Sequence, residues 1–123
     1  MPRTVIETPN IEKLQILDPD GRVDRSLEPS LSEDQLQDIY RAMVRARETD
    51  QRMLKLQRQG RIGTFALCTG QEAAVVGPAF AMGERDWLAG SFRELGARQV
   101  RGEPFDTYLM GFNGYEEGNL MPP

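Results

Sequence analysis

In Ser91-Phe92-Arg93-Glu94, Arg93 is the residue of this chain best placed to do chemistry. Ser91-x-x-Glu94 has the spacing of a helix capping box, and Trp87-Leu88 before Gly90 suits one short buried strand. A strand feeding a helix start leaves backbone N–H groups unbonded, at the end of the helix where the dipole favours negative charge. A guanidinium beside them can add two parallel hydrogen bonds to a phosphate. The simpler reading of the same spacing is a solvated first-turn arginine. Arg93 is therefore a candidate anion-binding residue.

Other reactive side chains are few. Histidine is absent, which removes the commonest general base near neutral pH and the commonest metal ligand, so a self-contained hydrolase or metalloenzyme is not expected. The single cysteine, Cys68, excludes an internal disulfide, has no cation beside it in sequence, and points to a reducing compartment, with the cytoplasm as the default. Asn113 and the Glu116–Glu117 pair could be imagined as metal ligands, but adjacent loop carboxylates are usually solvated and nothing completes a cage, so no metal site is assigned. A net charge of −4 argues against nucleic acid as a partner. The most apolar run, Ala73 to Met82, is about half the ~20 residues of a membrane helix, and Met1 to Asn10 lacks the apolar core of a signal peptide.

The chain's 123 residues allow one modest domain. Residues 1–30 read as an extended arm, in which Asp18-Pro19-Asp20-Gly21 supplies the turn of a small hairpin after the alternating run Lys13 to Leu17. Residues 31–123 form the body. Ser32 and Gln35 make a capping box that opens a long helix ending at Gln59-Gly60, with Leu36, Ile39, Tyr40, Met43, Val44, Met53 and Leu54 on one face. Arg47 and Asp50 interrupt that face at i, i+3 spacing and would pair locally or meet a neighbouring subunit, the local pair being the simpler reading. Thr69-x-x-Glu72 predicts a second helix that kinks or stops near Gly77, because an interior Pro78 removes a hydrogen bond at a cost of ~3 kcal/mol. The Ser91 box opens a third helix to Arg101-Gly102. Pro104 fits the first turn of a fourth, whose apolar face is Phe105, Tyr108, Leu109 and Phe112 and whose end is Asn113-Gly114. The tail from Tyr115 reads as a loop.

Two segments, Gly60-Arg-Ile-Gly-Thr-Phe-Ala-Leu-Cys-Thr-Gly-Gln-Glu-Ala73 and Asp86-Trp-Leu-Ala-Gly-Ser-Phe-Arg-Glu-Leu-Gly96, together resemble the alpha subunit of the thiamine-diphosphate-dependent 2-oxo acid dehydrogenases of pyruvate dehydrogenase type. The resemblance implies an α/β fold, of which this chain is the N-terminal, mainly helical part of an incomplete parallel-sheet domain. It implies that Arg93 grips the cofactor diphosphate with Ser91 and Phe92 nearby. The family carries tyrosine where this sequence has Phe92, so one hydroxyl contact is missing. It also implies that Phe65 lies near the substrate pocket, although a core aromatic is an equal reading of that residue, and that Glu72 serves first as a helix cap and second in a network around the cofactor.

The metal and diphosphate signature Gly-Asp-Gly does not occur, so the Mg2+ ligands and the catalytic residues are expected outside this chain. The implied reaction is oxidative decarboxylation of pyruvate, preferred over branched-chain 2-oxo acids and acetoin, with acyl transfer to a lipoyl group. The implied assembly is a heterotetramer of two alpha and two beta subunits working with a lipoyl-bearing acyltransferase. The chain alone is expected to be an incomplete catalyst. The contrasting expectations are a catalytically silent remnant serving as a helical subunit-interaction module, and a small phosphate-binding module using Arg93.

Overall fold

The computed structural model describes residues 10–119; the first nine residues of the arm and the tail from Leu120 lie outside the described residues. The chain divides into two units, Met1–Leu31 and Ser32–Pro123. In the first, Asp18-Pro19-Asp20-Gly21 turns the chain, with the Gly21 amide donating to the Asp18 carbonyl at 3.1 Å and Gly21 at φ 82°. The Asp18 carboxylate accepts from the amides of Asp20 and Arg22 at 2.9 and 2.7 Å, which ties the turn to its own side chain. The expected hairpin is a minimal one, a single antiparallel bridge between Leu17 and Val23.

The second unit is helical. Its longest helix, α1 (Glu33–Arg58), has 26 residues. Ser32 is its N-cap, and both halves of the capping box form: the Gln35 amide donates to Ser32 Oγ, and the Ser32 amide donates to Gln35 Oε1. Its end is equally well specified. Gly60, at φ 69°, donates to the Gln57 carbonyl and Arg61 donates to that of Leu56, the paired bonds of a Schellman motif. Helices α3 (Leu95–Val100) and α4 (Phe105–Phe112) end the same way at Gly102 and Gly114. Between α1 and α3 lies α2 (Glu72–Ala81), and a 3-10 turn follows α4 at Glu116–Asn119, where the sequence suggested loop.

Two apolar centres hold this unit. In one, α1, α2 and α3 meet where Gly96 faces Val76 and Ala46; a Cβ built on Gly96 would lie 3.0 Å from Val76 Cγ2 and 3.3 Å from Ala46 Cβ. In the other, Met53, Cys68, Leu95 and Tyr108 are buried together, with Ile62, Phe65, Leu109 and Phe112 packed around them. The loop after α1 is fastened to this second centre by the Gly63 amide, which donates to the Phe112 carbonyl at 2.8 Å.

Several local expectations are corrected. Among the described residues there is no strand at Trp87; its indole is 95% exposed, and the Gly83–Asp86 turn before it is held by the Arg101 guanidinium donating to the carbonyls of Gly83, Glu84 and Asp86. With no neighbouring strand to pair its backbone, a short apolar run has nothing to make it extended and regular. Helix α2 passes through Pro78 to Ala81 rather than stopping at Gly77. Pro78 and Ala74 both lie on the exposed side, so the carbonyl robbed of its partner can be met by water, while Val76 and Ala79 bury the opposite side. Pro104 is the N-cap of α4 rather than a member of its first turn. On α1 the buried residues are Ala46, Asp50 and Met53, whereas Leu36, Tyr40 and Val44 of the expected stripe are exposed. The parallel-sheet context of the expected fold is not among the described residues, whose regular elements from Glu33 onward are helices.

Candidate functional site

The loop between α1 and α2 and the segment before α3 meet at Arg93. The Arg93 Nη1 donates to the Leu67 carbonyl, and the Cys68 thiol donates to the Arg93 carbonyl at 3.0 Å. The two segments named by the resemblance are thus stitched together at both ends of this one arginine. Its guanidinium lies 5.5 Å from the centroid of the Phe92 ring, which is 60% exposed. Burial pushes the Cys68 thiol up, away from the thiolate a nucleophile requires, and it serves here as a donor.

Neither expected capping box opens its helix. Helix α3 begins at Leu95, with Glu94 as N-cap and no side-chain cap. Only the return half of the Ser91-x-x-Glu94 pattern is formed: Glu94 Oε2 accepts from the Ser91 amide at 2.7 Å and from the Arg93 amide at 2.9 Å. The amides expected to be open to a ligand are therefore met by a carboxylate oxygen of the chain itself. Two amides do converge at this pattern, but on Glu94 rather than on an open site, and ahead of the helix rather than at its start.

Thr69 does not cap α2 either. Glu72 is the first residue of that helix and Gln71 its N-cap. The Thr69 hydroxyl and amide, and the Cys68 amide, all donate to the carboxylate of Asp50, which is 1% exposed. Gln51 Nε2 donates to the Thr69 hydroxyl at 2.9 Å and completes the clamp. The predicted local Arg47–Asp50 pair does not form. Arg47 reaches instead to Glu72 in a two-pronged ion pair, Nη2 to Oε2 at 2.8 Å and Nε to Oε1, while the Gly70 amide donates to the same carboxylate. The Arg47 hydrogen bonds hold the Glu72 carboxyl well below its usual range, at about 2. Helix spacing favoured the local pair, but the loop returning to α1 offered a bidentate partner to one residue and three donors to the other.

Phe65 is half-buried, with its ring edge-on to Phe112 at 6.0 Å between centroids. It borders the apolar centre of Met53, Cys68, Leu95 and Tyr108, on the same loop that carries Leu67. Asp50 is the residue whose role the sequence reading misassigned. Its signal was a carboxylate placed on an otherwise apolar helix face, 18 and 19 residues before the amides it receives. Among the described residues no group of three or more His, Cys, Asp or Glu side chains could hold a metal ion, and no helix is long and apolar enough to cross a membrane.

Sequence comparison places these segments in context. The profile of the family described as "Dehydrogenase E1 component" matches residues 40–121. The chain is 36% identical over 122 residues to the 3-methyl-2-oxobutanoate dehydrogenase subunit alpha of Mycobacterium tuberculosis, covering 98% of this chain and 33% of that protein. It is 38% identical over 112 residues to the pyruvate dehydrogenase E1 component subunit alpha of Bacillus cereus, covering 90% and 30%. Against the subunit of the same name from Acholeplasma laidlawii it is 37% identical over 106 residues, covering 85% and 31%. The chain thus spans about a third of the length of the curated relatives it matches. The matched region takes in α1 from Tyr40 onward, the Asp50-clamped loop, Arg93 and α4, and the chain belongs to the dehydrogenase E1 component family.

Proposed function

We propose that this chain forms the alpha-side wall of a thiamine-diphosphate site in a 2-oxo acid dehydrogenase, with Arg93 as its diphosphate-binding residue. The observation that carries this reading is the Arg93 guanidinium, whose side-chain hydrogen bond among the described residues goes to the Leu67 carbonyl and to no carboxylate. A guanidinium so held fits a diphosphate oxygen, whereas the Ser91 and Arg93 amides are already met by Glu94 Oε2. The chemistry thiamine diphosphate supplies when bound is decarboxylation of a 2-oxo acid. The chain's own part is to hold and orient. Arg93 uses one N–H of Nη1 on Leu67, which leaves the Nε–Nη2 edge of its fork for two parallel bonds to a phosphate. Phe92 contributes ring surface and no hydroxyl.

The activity of the whole assembly, oxidative decarboxylation with acyl transfer to a lipoyl group, belongs to this reading through the family. So do its partners: a beta subunit, a second alpha subunit and a lipoyl-bearing acyltransferase. Pyruvate is our preferred substrate; the relatives named for pyruvate and for 3-methyl-2-oxobutanoate are similar to this chain to nearly the same degree.

Calorimetric titration of thiamine diphosphate into the chain, alone and with a beta subunit of the same dehydrogenase, tests the proposal. Binding in the mixture that Arg93→Ala weakens by about tenfold or more is the expected result, since hydrogen bonds to charged groups are worth ~1.5–3 kcal/mol. No heat in either arrangement overturns it. A second reading, a catalytically silent helical interaction module, is favoured by Leu36, Tyr40 and Val44, exposed at four-residue spacing along α1. Partner binding without any cofactor heat would support it.

A further inference from the structure

We propose that Asp50 is the positioning residue for Arg93: by clamping the Leu67–Thr69 segment to α1, it fixes the two contacts that orient the diphosphate-binding guanidinium. This rests on the reading of Arg93 given above.

Asp50 is buried on α1, and among the described residues no cation is paired with its carboxylate. Such a group is costly unless hydrogen bonds compensate it, and here they come from consecutive residues of one loop. Asp50 Oδ1 accepts from the Cys68 amide at 2.9 Å. Oδ2 accepts from the Thr69 amide at 3.0 Å and from the Thr69 hydroxyl, itself braced by Gln51. These bonds fix the backbone of Cys68 and Thr69.

The same short segment holds Arg93 on its other side. The Leu67 carbonyl accepts from Nη1, and the Cys68 thiol donates to the Arg93 carbonyl. One end of the arginine is therefore held by its backbone and the other by its guanidinium, both through residues whose amides or immediate neighbours are anchored to Asp50. A loop carbonyl free to rotate would leave the fork pointing in several directions, and each would have to be given up on binding. Fixing it in advance removes that cost. Local helix pairing does not explain the aspartate, because Arg47, three residues earlier, is engaged with Glu72.

The test is a double-mutant cycle on the full chain assembled with a beta subunit, with thiamine diphosphate as the titrant. Asp50→Asn keeps the shape and an acceptor for Cys68 but sets an amide group against the Thr69 N–H. It should weaken binding about tenfold in the wild-type background and less than twofold when Arg93 is already alanine. Purely structural damage would instead weaken binding equally in both backgrounds, and that additive result overturns the proposal. So does Asp50→Asn binding as well as wild type. If Asp50→Asn does not fold, Thr69→Val, which removes only the hydroxyl of the clamp, is put through the same cycle, with a smaller but still non-additive loss expected. Arg93→Ala without effect on affinity would instead sink the reading of Arg93 itself, so the two failures are told apart.

Discussion

The resemblance implies a tyrosine at position 92, one oxygen atom more than Phe92 carries. The ring remains beside the Arg93 guanidinium and is mostly exposed, so a hydroxyl added at its tip needs no core rearrangement. If the diphosphate lies against this pair, Phe92→Tyr restores a hydrogen bond to a charged group, worth ~1.5–3 kcal/mol, and should tighten thiamine diphosphate binding by roughly tenfold or more in calorimetry with the beta subunit. An unchanged Kd would remove Phe92 from the site. A second residue-scale prediction concerns acid. The Glu72 carboxyl titrates at about 2 when folded and near 4.5 otherwise, because Arg47 bonds its charged form. A lowered folded value means that its stabilisation is complete above about 4.5 and is lost as pH falls towards 2. Thermal midpoints measured across that window should therefore fall less steeply for Glu72→Gln than for wild type. Parallel curves would show that the pair contributes nothing. In sequence Arg93 and Glu72 are marked by the motifs they sit in, but the Leu67 contact of the one and the Arg47 pair of the other are not. The role of Asp50 was not legible either, because its partners are donors from a distant loop, and helix spacing cannot reveal those.

At the scale of elements, legibility followed the locality of the determining bonds. Helix α1 was readable at both ends because Ser32, Gln35 and Gly60 set those ends through contacts within a few residues. The starts of α2 and α3 were misread because Thr69 and Glu94 have better or competing partners, in Asp50 and in the Ser91 and Arg93 amides. Tertiary packing also decided the fate of α2, which tolerates Pro78 for the sake of burying Val76 and Ala79. That packing depends on a missing side chain. At Gly96 an added methyl would press on Val76 and Ala46, the latter fixed by its helix with no rotamer to change. Overpacking of this kind costs ~1–3 kcal/mol, against a gain of ~0.5–1 kcal/mol in helix propensity from replacing glycine. Gly96→Ala is therefore expected to destabilise by about 1–2 kcal/mol in urea unfolding. A neutral or stabilising result would mean that α2 and α3 can part without loss.

For the molecule as a whole, the segment that carries Arg93 leaves two large aromatic side chains in water. Trp87 is 95% exposed and Phe92 60%, and both belong to the segment that leads to Arg93. Large aromatic side chains are usually well buried on average, and two exposed in one short segment point to a surface that meets a partner. The strand expected at Trp87 was legible as a hydrophobic signal and wrong as a conformation: Leu88 is partly covered, yet nothing in the described residues covers Trp87. Trp87 is also the single tryptophan, so its emission reports this surface alone. In the dilute isolated chain it should emit as a water-exposed indole. It should shift to shorter wavelength as concentration rises, in step with self-association seen by sedimentation, and on addition of a beta subunit. A compact monomer at every concentration, with emission unmoved by the beta subunit, would mean that the segment carrying Arg93 stays in water. The diphosphate would then have no second wall, because an arginine in open solvent holds a phosphate only through weak, salt-screened attraction.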